Sequence, residues 1–420
     1  MLNQQTDNAI ASHDIFADEK AMRDVFAQVR REDPLHWTQA EGNPGYWAVT
    51  RHADVKEVGR NNELYINAPM IFLRDDEEDR IARADNAGKG TYARTLVNLD
   101  MPEHRVYRGL TQAWFMPANI KRLDSLINDR AVEMVDKLVA MDGRCDFVND
   151  IAIWFPLRVI MTALGVPEAD HPMMLQLGQQ MLAPKDPTLR RKETGGLSAK
   201  AAVVKDFFGY FDKVLQDRRA NPCDVPASLI ANSQFDGQPI GKMEALSYFL
   251  ILATAGHDTT ANSLAGGLLA LTQNPEQLAK LRADPALLNT AVEEMFRWVT
   301  PVRHFMRTAS ADSTLRGKTI RSGDLLMLCY PSANQDEEVF TDPHLFRVDR
   351  TPNRHLAFGF GAHACLGQNL ARAELRAFFK ELLARVERVE IDGAFEWVRS
   401  NQVSGPKTLP VRCRVAARAA

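Results

Sequence analysis

Between Lys242 and Thr272 the chain is apolar on nearly every face that a helix could present. As one helix this run would extend roughly 45 Å at 1.5 Å per residue. A helix without a polar face has to be buried, so the rest of the chain must wrap around it. Further helical patterns are available to do so, at Ile120 to Met141, Lys200 to Arg219, Pro285 to Val299 and Gln368 to Val386. Strand signals cluster near 35–50 and 310–330. Trp37 and Tyr46-Trp47-Ala48-Val49 flank a Gly-Asn-Pro-Gly turn, and Leu315 to Ile320 followed by Leu325 to Leu328 reads as a second hairpin. The expectation is a mainly α chain with a small β-sheet region, organised as a single domain over 1–420.

The buried run carries an anomaly at its centre, Ala255-Gly256-His257-Asp258-Thr259-Thr260. Glycine inside a helix costs about 1 kcal/mol relative to alanine. A buried acid or hydroxyl needs a partner, and threonine hydroxyls can bond back to the preceding turn and loosen it. A helix that carries such residues where it is most enclosed usually does so for function. The alternative is a polar patch on an ordinary amphipathic helix.

A second informative segment is Phe358-Gly359-Phe360-Gly361-Ala362-His363-Ala364-Cys365-Leu366-Gly367. Its glycines allow a tight loop whose backbone can approach a flat ligand. Cys365 stands just before a helical run, where the positive helix end favours a thiolate. A thiolate so placed suits axial ligation of haem iron. The same residues satisfy the dinucleotide pattern G-x-G-x-x-G/A, with Val389-Glu390-Ile391 as a following strand. That motif would open a nucleotide-binding domain, yet here it comes near the end of the chain with no further strand–helix alternation after it.

Composition narrows the remaining classes. A net charge of −3 gives no reason to expect a nucleic-acid partner. The five cysteines, Cys145, Cys223, Cys329, Cys365 and Cys413, are odd in number and lack a C-x-x-C pair, which argues for a reducing compartment. Met1 to Lys20 is polar and mixed in charge, without a signal or anchor pattern. The apolar stretch at Phe249 to Ala255 is too short to span a bilayer. A soluble cytoplasmic protein is expected.

Taken with Glu294-Met295-Phe296-Arg297 and Asp100-Met101-Pro102-Glu103-His104-Arg105-Val106-Tyr107-Arg108, these segments resemble, in order and over essentially the full chain, the motifs of the cytochrome P450 monooxygenases. Asp100 and Glu103 also form a capping-box pattern, with His104 and Arg108 four apart on one helix face. The resemblance implies the P450 fold and non-covalent haem b with the Cys365 thiolate as axial ligand. No C-x-x-C-H attachment sequence is present. It makes Phe358 and Gly367 part of the cysteine loop, and His104, Arg108, Arg307 and His363 donors to the two haem propionates. Gly256 would leave space for dioxygen, Thr259 would donate a hydrogen bond to the oxygen being activated, and Asp258 would relay protons from solvent. His257 receives no role. Glu294, Arg297 and Arg350 would form a structural network beneath the cofactor.

Within the family, stretches such as Tyr107-Arg108-Gly109-Leu110-Thr111 and Phe305-Met306-Arg307-Thr308-Ala309 look similar to bacterial monoterpene hydroxylases of the terpineol-oxidising type. The substrate pocket is expected from Met70, Ile71, Phe72, Val97, Leu250, Ala253, Thr254, Phe305 and Val403. The charged run Arg74 to Arg80 reads as a solvated loop or short helix. An apolar lining favours a small neutral substrate, a monoterpene, alkylbenzene or cyclic hydrocarbon, hydroxylated with O2. The alternatives are a sterol or fatty-acyl chain oxidised at its terminus and, in a different class, a non-catalytic haem sensor. With no nucleotide domain or iron–sulfur spacing, electrons must come from separate proteins, expected to be a small acidic ferredoxin and its reductase. Arg105, Lys121, Arg122 and Arg372 are candidate docking contacts on the Cys365 side.

Overall fold

The computed structural model describes residues 2–85, 92–192, 194, 197–235 and 237–415. It is 54% helical, and seven helices position the site. These are α1 (Glu103–Gln112), α2 (His171–Leu182), α3 (Ala199–Ala220), α4 (Lys242–Ala255), α5 (Asp258–Gln273), α6 (Leu288–Val299) and α7 (Gln368–Arg385). The central apolar run is thus two helices. Gly256 ends α4, and His257 leaves the helical path at φ −125°, ψ −52° before Asp258 starts α5. Both halves are enclosed, with Phe249, Leu264 and Ala265 fully buried. The window Phe147–Leu164 is more extensive than the apolar stretch noted in α4. By length and composition it could cross a membrane, but 72% of it is buried in the protein's own core.

A five-stranded sheet lies beside this helical core. Its strands are β1 (Leu35–Thr38), β2 (Tyr46–Val49), β3 (Tyr65–Ile66), β4 (His304–Ala309) and β5 (Leu325–Cys329), in the order β1-β2-β5-β4-β3. The expected first hairpin forms, with Trp37 opposite Trp47 and their rings edge to face at 5.1 Å. The second forms differently. Ser313–Leu315 pairs with Lys318–Ile320 across Arg316 and Gly317, both at positive φ, as a two-residue hairpin turn requires. β5 is free of that hairpin and pairs instead with β2 and β4. The capping box does not form either. The Asp100 carboxylate accepts from the amides of Asn67 and Ala68, and α1 begins at Glu103 without a side-chain cap.

The end of α6 is fixed by buried charge. Glu294 and Arg297 are wholly enclosed and bonded at 2.7 and 2.8 Å. Arg350 Nε reaches the two Glu294 oxygens at 3.1 and 3.0 Å. Asn353 and the Arg347 amide donate to the same carboxylate. Arg297 and Arg350 spend their other N–H groups on backbone carbonyls, among them Asn334, Pro343 and Thr341. A buried ion pair is favourable only when its remaining valences are filled in this way.

Glu294→Ala would strand two buried guanidinium groups. It is expected to lower stability by about 3–5 kcal/mol, read as a fall in the denaturant midpoint. A loss below about 1 kcal/mol, the scale of a surface pair, would show that the network does not hold this region.

Candidate active site

The cysteine loop is held by its own backbone and by a distant helix. The Cys365 amide donates to Phe358 O at 2.8 Å. Gly359 and Gly361 take φ of +69° and +77°, a region that other residues enter only with strain. A Cβ on Gly361 would also lie 2.2 Å from Gly59 O, on the helix His52–Arg60. The loop therefore leans on backbone some 300 positions earlier.

Cys365 lies deep in the protein, and its exposed surface opens onto a cavity of about 1290 Å³. Burial pushes its thiol above the usual value, against the amides of Gly367 and Gln368 and the positive charges of Arg108 and Arg372, which pull it down. The helix end thus favours a thiolate but does not win alone. A bound metal ion reverses that balance. Phe358, Gly367, Gly256 and Thr259 line the same cavity.

Along one wall stand the basic residues picked out by sequence. His104 is 1% exposed, and neither of its ring nitrogens has a protein partner. Its ring lies 3.9 Å from that of His363, whose Nε2 is 2.6 Å from the Asn67 amide nitrogen. Burial and then neighbouring Arg108 lower His104 to about 4. Burial, then His104, Arg307 and Arg108, lower His363 to about 2. Arg307 is buried behind this wall, donates to Met306 O and does not reach the cavity surface. Crowded basic groups with unfilled donors are the complement of a ligand carrying carboxylates, so the residues present fit haem.

Opposite the cysteine, two neighbouring side chains at the start of α5 point into different spaces. Thr259 faces the large cavity and donates to Ala255 O at 3.2 Å. Asp258 faces a smaller cavity of about 520 Å³, shared with Gln179, Asn262 and Lys407. Burial raises the Asp258 carboxyl, and His257 opposes that rise. Gly256 lines the large cavity, yet a Cβ there would meet Ile160 Cγ1 at 2.7 Å. Packing against the helix Trp154–Leu164 gives this glycine a reason of its own.

A third cavity, of about 810 Å³, is lined by Met70, Ile71, Phe72, Val97, Leu250 and Thr254 from the expected pocket. Phe305 lines the cysteine cavity instead, its ring 5.0 Å from that of Phe72. Val97 and Ile251 line both spaces, so the two adjoin. Ala253 and Val403 were expected here and are elsewhere. Ala253 is core, with its carbonyl toward His257. Val403 bridges to Val302 and borders the Asp258 cavity, while its neighbour Gln402 lines the pocket. Residues 86–91 of the Asn67–Val97 loop lie outside the described residues.

Sequence reasoning passed over other members of these walls. Glu374 on α7 lines the cysteine cavity with both carboxylate oxygens lacking a protein partner, and burial pushes it well above the carboxylate range. Its position on the face of Leu370, Ala371 and Phe378 was the readable signal. Arg74, taken for part of a solvated run, and Lys200 line the pocket. Arg74 bonds Asp79 at 2.6 Å.

A cysteine on a glycine loop, basic groups gathered for carboxylates and a broken helix overhead are one arrangement. The sequence matches the family Cytochrome P450 over residues 68–393. This chain is a cytochrome P450. It is 43% identical to cytochrome P450-terp of a Pseudomonas species over 94% of each chain. It is 32% identical to linalool 8-monooxygenase of Pseudomonas putida, over 92% of this chain and 94% of that one. Methyl-branched lipid omega-hydroxylase of Mycobacterium tuberculosis is 34% identical over 96% and 94%. The crystal structure of a P450 from Novosphingobium aromaticivorans superposes with a TM-score of 0.92 at 38% identity, over 99% of this chain and all of that one. The protein is a haem-thiolate monooxygenase with Cys365 as axial ligand.

Proposed function

We propose that this P450 hydroxylates a small neutral hydrophobic molecule, a monoterpene, alkylbenzene or similar cyclic hydrocarbon. The observation that carries the proposal is the junction of the two cavities at Val97 and Ile251. A compact substrate held against Met70, Ile71, Phe72 and Leu250 would present one end past Phe305 to the cysteine cavity. Apolar walls that enclose most of a ligand favour such a molecule. The similarity to cytochrome P450-terp and linalool 8-monooxygenase supports the same class.

Haem with a thiolate ligand supplies dioxygen binding and its reductive activation. The protein's part is proton control. Thr259 holds a hydroxyl over the cysteine cavity, and Asp258 carries a proton from the solvent side of the broken helix. Thr259→Ala is expected to uncouple turnover, so that reductant is consumed and peroxide released in place of product. Unchanged coupling across several substrates would remove that role.

Lys200 supports a second reading. It lines the pocket and has no ion pair among the described residues. Burial and then Arg74 hold its ammonium below the usual lysine value. A longer substrate with a carboxylate, such as a fatty-acyl acid, would find its counter-ion there.

Electrons would come from a ferredoxin and its reductase. Arg105, Lys121 and Arg122 are exposed beside the apolar Val106 and Met116. Asn369 of α7 bonds Phe115 O at 3.0 Å, which ties this surface to the cysteine side. Arg122 is paired with Asp224. Arg372 drops out of the docking set, because both arms of its guanidinium bond Glu293 at 2.7 and 2.9 Å. Reduction is expected to slow as salt rises; a salt-independent rate would remove the electrostatic contacts.

Binding titrations followed through the low-to-high-spin change, with product analysis, test the substrate. Small cyclic hydrocarbons and terpenoids should give the tight shifts, equally in Lys200→Met. Tight binding of sterols with no response to small hydrocarbons would overturn the class. Binding of long-chain acids that is lost in Lys200→Met would establish the second reading.

A further inference from the structure

His257 is the one residue of the helix break without a role so far, and its surroundings are specific. Its side chain is fully buried. Nδ1 lies 2.9 Å from Ala253 O. A carbonyl only accepts, so Nδ1 carries a hydrogen. Nε2 is left facing Asp258 Oδ1 at 3.3 Å. No hydrogen bond closes between them in this conformation, and no other described group partners Nε2.

The third wall is α2. A Cβ on Gly178 would lie 2.7 Å from His257 Cε1, 2.8 Å from Nε2 and 3.6 Å from Asp258 Oδ2. The imidazole therefore rests on bare helix backbone, at a position where a side chain would displace it. Glycine is unfavourable inside a helix, and here it makes the seat for one ring.

An imine nitrogen and a carboxylate oxygen at this distance in a buried site repel through their lone pairs. One proton between them removes the repulsion. Asp258 opens on its far side to the cavity with Gln179 and Lys407. Lys407 is held by Asp186 at 3.3 Å and Glu396 at 3.4 Å, so it is not the counter-ion of Asp258.

We propose that His257 is a positioning residue for oxygen activation, sharing one proton with Asp258 and keeping that acid loaded behind Thr259. When Asp258 gives its proton toward Thr259, the carboxylate is left against the imine lone pair. A proton taken from solvent through the Asp258 cavity then restores the pair. No electron moves and no covalent bond to carbon forms in this exchange. The inference rests on the reading of Asp258 as the proton supplier.

Two measurements test it. In holoenzyme with ¹⁵N-labelled histidine, studied as the diamagnetic ferrous carbon-monoxide form, the signal lost in His257→Asn identifies this residue. Nδ1 should appear protonated, and Nε2 should be displaced from the position of a free imine nitrogen and return toward it in Asp258→Ala. In turnover, His257→Asn can keep the Ala253 bond but presents nothing at Nε2. Product formed per reductant should fall roughly tenfold, less than the roughly hundredfold or greater effect of a direct proton-transfer group because His257 acts through Asp258, and the solvent isotope effect should rise. Gly178→Ala, ordinarily favourable in a helix, should reproduce that loss with haem binding intact.

Full coupling with an unchanged isotope effect in both variants, or a free-imine Nε2 signal in the wild type, would overturn the proposal. Should His257→Asn not fold, Gly178→Ala decides, its signals being assigned by comparison with Asp258→Ala. If Asp258→Asn itself stays coupled, the proton-supply reading fails and the inference with it. If Asp258→Asn uncouples while His257→Asn does not, only the role of His257 falls.

Discussion

The interruption of the central helix at Gly256 and His257 governs the geometry of everything around it. Asp258 and Thr259 open α5 as successive residues, about 100° apart around its axis. That turn assigns one side chain to the cysteine cavity and its neighbour to a separate space behind. Local loosening is what lets a buried helix carry polar groups at its most enclosed point. Ile160 closes on Gly256 from one side and Gly178 on the His257 ring from another, so the departure from helix is packed and specific rather than slack.

Charge is handled in two contrasting ways within the same core. Beneath the cysteine loop, Glu294, Arg297 and Arg350 satisfy one another and the nearby carbonyls, leaving little unspent valence. Around the cavities, His104 and Glu374 are buried with polar atoms unfilled by protein. The first arrangement fixes shape. The second leaves capacity for molecules the chain itself does not supply, and it is concentrated where haem and protons have to be received.

What sequence revealed followed the range of the interactions concerned. The Trp37–Trp47 hairpin and the glycines and cysteine of the haem loop are written in neighbouring residues, and they were legible, although the loop's support from Gly59 was not. The break in the central helix was foreshadowed by Gly256 and the polar residues after it, although not the opening of Asp258 and Thr259 onto different cavities. β5 was paired with the wrong strand because its partners, β2 and β4, are chosen by the sheet and not by the turn beside it. The Asp100 cap failed because Asn67, far away in sequence, offered amides to the same carboxylate. Arg372 looked like a surface cation until Glu293 was brought beneath it. His257 was passed over because a residue's type does not disclose which acid or which glycine it will face.

The contact of Gly361 with Gly59 bears on how the chain is made. Asn67 reaches His363 across 296 positions, and His52 bonds Arg354 O across 302. The cysteine loop therefore takes its final form against backbone synthesised long before it. During synthesis the early segments must wait, with their docking edge uncovered, until nearly the whole chain has emerged. Closing contacts this distant is slow. The haem-binding loop thus depends on contacts that only late synthesis makes available.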